Sequence, residues 1–194
     1  MSAQQPPPQS SLAITLQIVS IVFYTFVAFL CIGLPIAVLP GYVHEQLGFS
    51  AIIAGLVIGS QYLATLLSRP MAGRMSDTLG TKRAIVFGLS GIVLSGLLTL
   101  ISTLLQGFPL PSLIILIIGR LLLGVAQGLI GVGTISWCMG QVGVEHTARS
   151  IGWNGIASYG AIAIGAPLGV VMVADYGFAS LGIALSILAA GPWC

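Results

Sequence analysis

Residues 69–83 read RPMAGRMSDTLGTKR. The chain of 194 residues has six Lys and Arg and four Asp and Glu, and half of these ten charges fall in this stretch: Arg69, Arg74, Asp77, Lys82 and Arg83. Around it the sequence is almost uncharged. Charged residues make up 5% of the chain and hydrophobic residues 57%, with a mean hydropathy of +1.09, whereas soluble domains carry about 25% charge. A water-soluble surface cannot be built from this composition. The apolar runs on either side reach about 20 residues, enough to cross a hydrocarbon core of about 30 Å as helix. The chain reads as an integral membrane protein.

Working outward from the charged stretch, breaker residues divide the apolar material into six predicted helices. The first runs from about Ile14 to Leu39 and is closed by Pro40-Gly41 and the polar turn YVHEQLGFS. The second spans about Ala51 to Ser68, ending at Arg69-Pro70, and the third about Ala84 to Leu105. The fourth spans about Ser112 to Met139, the fifth about Ile151 to Ala174, and the sixth starts at Ala179. Residues 1–13 contain MSAQQPPPQSS, which lacks the basic n-region of a signal peptide, so they read as a disordered cytoplasmic tail before an uncleaved first helix. From Ala179 to Cys194 the last helix would cover only about 24 Å, short of a full span. The expectation is a truncated sixth helix in a fragment or half of a longer protein.

Six crossings put the loops alternately on two sides. Arg69, Arg74, Lys82, Arg83 and Arg149 all fall on one side, so the positive-inside rule predicts a cytoplasmic N-terminus with His44, Glu45 and Asp175 outside. The expected location is the plasma membrane, as a bacterial inner membrane. A net charge of +2 confined to short loops offers neither a nucleic-acid footprint nor a polybasic lipid anchor. Cys31, Cys138 and Cys194 form no CxxC and no metal cluster, so neither a metal nor a cofactor is expected. No Ser/His or paired-carboxylate constellation lies at membrane depth, which argues against an enzyme.

Topology explains Arg74, Lys82 and Arg83 as bases that hold a short hairpin loop on the cytoplasmic side. It leaves Asp77 and the glycines unexplained. Gly73 and Gly80 would permit a tight turn with close backbone approach, and Asp77 can accept hydrogen bonds from a helix N-terminus or from a neighbouring base. The segment GRMSDTLGTKRAI between helices two and three resembles the signature loop of the major facilitator superfamily, G-x-x-x-D-[RK]-x-G-[RK]-[RK]. Thr78 and Thr81 stand where bases are usual. The resemblance implies an all-α membrane protein, the N-terminal six-helix half of a twelve-helix transporter built from 3+3 inverted repeats. It also implies that Gly73, Arg74, Asp77, Gly80, Lys82 and Arg83 form a latch between the two halves, and it makes a C-terminal six-helix half the expected partner.

Arg120 is the one ionisable side chain well inside a predicted span. It lies about 12 Å past Ser112, at a depth where arginine costs about 2.5 to 3.5 kcal/mol. Arg120, Gln127 and Thr134 recur at intervals of seven and so share one slowly drifting helix face, which suggests a cavity lining. The alternative for Arg120 is a structural pairing with helix-end carbonyls. GRLLLGVAQG also resembles the family's fourth-helix motif, which implies substrate binding or proton transfer. Gly124 and Gly128 form a small-xxx-small pair suited to close helix packing.

On helix five, YGAIAIGAPLG holds Gly160, Gly165, Pro167 and Gly169, which predict a bent, closely packed helix. Its final portion resembles the antiporter motif of drug-exporting facilitators, which implies export rather than import. Gln61, Thr65 and Ser68, and Ser95, Thr99 and Ser102, are polar stripes that either touch solute or bond neighbouring backbone. Asn154, near the cytoplasmic end of helix five, gates the pathway or caps the helix. Glu45, Asp77, Glu145 and Asp175 all fall in predicted loops, so no membrane-embedded acid is available for proton exchange.

The resulting expectation is a secondary transporter that moves a small solute by alternating access, outward rather than inward, with the proton as its candidate coupling ion. The alternative is a non-transporting fragment or an interaction subunit of a membrane complex.

Overall fold

In hydrocarbon a backbone N–H or C=O finds no water, so a chain this apolar must satisfy its backbone within helices or a closed barrel. The computed structural model, which describes residues 11–191, takes the first solution. Its six main helices are α1 (Ser11–Ile36), α2 (Ala51–Thr78), α3 (Thr81–Leu104), α4 (Pro109–Val142), α5 (Thr147–Tyr176) and α6 (Ala179–Ala190). The first five are long and apolar enough to cross a membrane, and α6, with 12 residues, is shorter.

The helices overrun most of the boundaries that breaker residues suggest. α1 begins at Ser11, inside the expected tail; residues 1–10 lie outside the described residues, as do 192–194 of the expected sixth helix. α1 stops at Ile36 rather than Leu39, and part of the expected polar turn is itself helical, as Leu39–Gly41 followed by a π-helical turn over Tyr42–Gln46. The largest correction concerns α2, which continues through Arg69-Pro70 to Thr78. Pro70 withholds a donor from the Leu66 carbonyl, but it lies about 28 Å from the start of the helix, where the chain leaves the hydrocarbon and water can serve that carbonyl.

Gly73 therefore lies within a regular helix, and only Gly80 (φ 93°) makes the tight turn between α2 and α3. Asp77 and Asp175, expected in loops, sit in the last turns of α2 and α5.

Packing follows the membrane pattern, in which small and polar residues face inward and large apolar ones face lipid. On α2 the buried stripe is Ala54, Val57, Gln61, Ala64 and Ser68, while Leu56, Leu63, Leu66 and Leu67 are exposed. α4 is the central element and packs against α1, α2 and α3; α1 packs chiefly on α5, and α3 on α6. The pairs α1–α5 and α4–α2 are equivalent under exchange of the two three-helix repeats, and α3–α6 is its own equivalent. Glycines make all three seams: Gly165 and Gly169 against Gly33 and Leu34, Gly124 and Gly128 against Gln61 and Ser68, and Gly96 against Gly182.

Hydrogen bonds fix the two ends. At the basic end, Arg149 donates from Nη2 to Ser11 Oγ (3.0 Å), and Gln17 donates to Gln141 (3.1 Å). Ile14, Ile18, Cys138 and Val142 fill the space behind them. At the opposite end, Ser102 and Ser112 exchange hydroxyl-to-carbonyl bonds of 3.0 and 2.8 Å beneath the Tyr42 hydroxyl. The Tyr42 ring stacks on Phe178 at 3.9 Å.

Candidate functional site

Because α1 and α4 are central and α2 and α5 flank them, these four helices share one face of the bundle. On it lies an open cleft of about 150 Å³. Phe29 of α1, Thr65 and Arg69 of α2, Gln127 and Gly128 of α4, and Asn154 of α5 line it. Small-molecule pockets usually enclose about 300–1,000 Å³, and this one is walled on one side.

The α4 stripe supplies the buried polar groups. Arg120 is 1% exposed, Gln127 7% and Thr134 0%. The Thr65 hydroxyl is placed to donate to Gln127 Oε1 (3.1 Å) or to the Gln61 carbonyl (3.0 Å), which ties α2 to α4 at the cleft. Gln61 is buried against α4 at Gly124, one turn from Arg120 and one from Gln127. Several polar atoms here are buried without a partner: Arg120 Nε and Nη2, Gln61 Nε2, Thr134 Oγ1 and Asn154 Oδ1. Unsatisfied buried donors and acceptors are few in folded proteins, and each calls for an explanation such as a ligand or a bound water. The helix-end carbonyls considered as partners for Arg120 do not satisfy Nε or Nη2.

The other stripes separate clearly. Ser95 Oγ donates to the Gly119 carbonyl (2.7 Å), Thr99 to the Ser95 carbonyl (2.9 Å), and Ser102 joins the Ser112 pair. Ser95 and Ser102 are consumed in packing α3 against α4, and Thr99 bonds the backbone of its own helix. On α5, Gly165 and Gly169 meet α1, whereas Gly160 has open space around it, and the helix runs unbroken through exposed Pro167. Asn154 lines the cleft, and its carbonyl accepts from Ser158 at 2.7 Å.

At the basic end, Arg74, Asp77, Gly80 and Arg83 are exposed, and the Asp77 side chain has no ion pair or hydrogen bond among the described residues. Lys82 differs, since its ammonium lies 5.1 Å from the centre of the Trp137 ring on α4. Adding a Cβ to Gly73 would meet nothing within 4 Å. Among the described residues, none requires a glycine there.

Sequence reasoning missed Arg69 and Phe29 as cleft residues and placed Thr65 only in a minor stripe. The signal was present: Gln61, Thr65 and Arg69 are spaced i, i+4, i+8 and share a face. Ending helix two at Ser68 removed Arg69 from that face.

A multi-pass bundle of two inverted three-helix repeats, with a cleft of mixed polar and apolar lining on the face formed by the first two helices of each, is half of a membrane carrier's architecture. Residues 21–191 match the family model described as Major Facilitator Superfamily, and the chain belongs to that family of transporters. It is similar to an uncharacterized MFS-type transporter of Burkholderia pseudomallei (strain 1106a), 52% identical over 185 residues that cover 95% of this chain and 46% of that protein. It is also similar to an uncharacterized MFS-type transporter of Pseudomonas aeruginosa (strain LESB58), 56% identical over 161 residues, 82% of this chain and 40% of that protein. The chain thus spans less than half the length of the curated relatives it matches.

Proposed function

We propose that the chain is the N-terminal half of a secondary active transporter that moves a small solute by alternating access, with two six-helix halves rocking about a site between them. The single observation that carries this reading is the one-sided cleft between α1, α2, α4 and α5, together with the unpartnered polar groups of Arg120 and Gln61 buried further along α4 and α2. Gln61, Arg120, Gln127, Thr134 and Asn154 serve as the solute or proton pathway, and the open side receives the second half. Gly73, Arg74, Asp77, Gly80, Lys82 and Arg83 serve as the latch. In support of that role, among the described residues the exposed Asp77 side chain has no ion pair and Gly73 has no neighbour that needs it small.

The distribution of bases supports a cytoplasmic N-terminus, the bacterial sources of the relatives support a bacterial inner membrane, and the helix-five motif supports efflux. Any proton coupling draws its acid from outside these spans or from a helix-end carboxylate such as Asp77. As a test, full-length protein in liposomes is followed with candidate solutes as wild type, Arg120→Ala and Asp77→Asn. The expected result is loss of flux in both variants, and unchanged flux in both would refute these assignments.

A second reading, a non-transporting interaction subunit, draws on the share of the relatives' length that the chain covers. Native mass measurement alongside flux decides between them, because a stable assembly that transports excludes the second reading.

A further inference from the structure

The cleft and the groups above it are one-signed. Gln61 faces Gly124, and α2 and α4 run in the same direction, so Arg120 lies level with Val57, one turn above Gln61. Arg69 is twelve residues further along α2, about 18 Å toward the basic end. Two guanidinium groups therefore mark the ends of one polar track, with Gln61, Thr65 and Gln127 between them. The four acids of the chain lie elsewhere: Glu45 in the π-helical turn, Glu145 in the turn before α5, and Asp77 and Asp175 in helix-end turns. None lines the cleft.

The polar atoms left without partners nearest Arg120 are donors. They are Nε and Nη2 of Arg120 itself and Nε2 of Gln61, on side chains 1% and 4% exposed. A guanidinium edge that presents Nε and one Nη matches the two oxygens of a carboxylate or phosphate. A cationic solute would meet like charge at both ends of the track and no carboxylate along it.

We propose that the solute is a small organic anion, whose oxyanion group is received by Arg120 and Gln61 and is drawn along the cleft by Arg69. This rests on the transporter reading and adds the sign of the cargo to it.

The test is binding by purified full-length protein in detergent, where no gradient or flux is needed. Thermal midpoints are recorded at fixed ionic strength against rising benzoate, inorganic phosphate or tetraphenylphosphonium. The expected result is a saturable upward shift with benzoate or phosphate and none with the cation. A shift with benzoate alone assigns a carboxylate, and one with phosphate alone assigns a phosphate. In Arg120→Gln the half-saturating concentration rises about tenfold or more, as loss of a charge-assisted bond requires. Gln61→Leu and Arg69→Gln, which keep the Arg120 side chain, provide the same readout if Arg120→Gln does not fold, with a smaller rise of about threefold.

No saturable shift with either anion, as when an acid of the second half neutralises Arg120, overturns the proposal. So does a shift with the cation, or anion binding unchanged in the variants. Failure of the transporter reading looks different: anions bind through Arg120, but liposomes show no flux.

Discussion

Gly169 of α5 lies against the carbonyl oxygen of Leu34 on α1, so close that a methyl group on its Cα would overlap that oxygen. Gly160, nine residues earlier on the same helix, has nothing within 4 Å of where its Cβ would be. Gly169→Ala is expected to destabilise the bundle by about 1–3 kcal/mol, because the backbones must separate. Gly160→Ala should be neutral or stabilising by up to about 1 kcal/mol through helix propensity. Unfolding in detergent by titrated denaturant measures both, and equal effects would remove the α1–α5 seam as the cause.

The Ser102–Ser112 exchange joins α3 to α4 at the end opposite the basic loops. A double-mutant cycle with Ser102→Ala and Ser112→Ala should give a coupling of about 0.6–1.7 kcal/mol, from the average to the maximum for hydrogen bonds between membrane helices. Additive single effects would show that the two hydroxyls act separately.

Asp77 is exposed and without an ion pair among the described residues, whereas Gly80 holds a positive φ of 93°. Asp77→Asn should leave the stability of the bundle within about 0.5 kcal/mol while reducing flux in the full-length protein. Gly80→Ala should cost about 1–3 kcal/mol from backbone strain. A large stability loss in Asp77→Asn would point to a fold role for this carboxylate in place of a latch.

Arg120 is buried with Nε and Nη2 unsatisfied. Replacing such a group by an apolar side chain of similar length removes a desolvation penalty, so Arg120→Met is expected to raise stability by about 1 kcal/mol or more while removing transport. Unfolding curves paired with liposome flux measure the trade. A destabilised Arg120→Met would mean that the guanidinium supports the fold.

Asn154 and Thr65 border an open cleft, whereas Ser95 is fully buried in the α3–α4 seam. With Cys31, Cys138 and Cys194 replaced by serine or alanine, Asn154→Cys and Thr65→Cys should react with a water-soluble thiol reagent. Ser95→Cys should react far more slowly. Equal rates at all three positions would contradict the cleft.

Composition and hydropathy determined that this chain crosses a membrane several times, and the breaker residues divided it into helices, because lipid leaves a backbone so few alternatives. The loop GRMSDTLGTKRAI pointed to the family, and the heptad spacing of Arg120, Gln127 and Thr134 marked the polar face of α4. Helix ends were less legible. Pro70 reads as a stop, yet helix persists to Thr78, since a proline at the water boundary costs little that water cannot restore.

Only the tertiary structure decided which polar stripe faces the cleft. The Ser/Thr run of α3 and the Gln61-Thr65 run of α2 look alike in sequence, since periodicity reports that residues share a face but not what that face meets. In the fold, α3 turns its hydroxyls onto the Gly119 and Ser112 carbonyls and satisfies them. α2 turns Gln61 and Thr65 toward α4, where Gln61 Nε2 and two nitrogens of Arg120 stay without partners. Satisfaction of a buried polar group depends on atoms brought near from elsewhere in the chain, and that proximity exists only once the helices have packed.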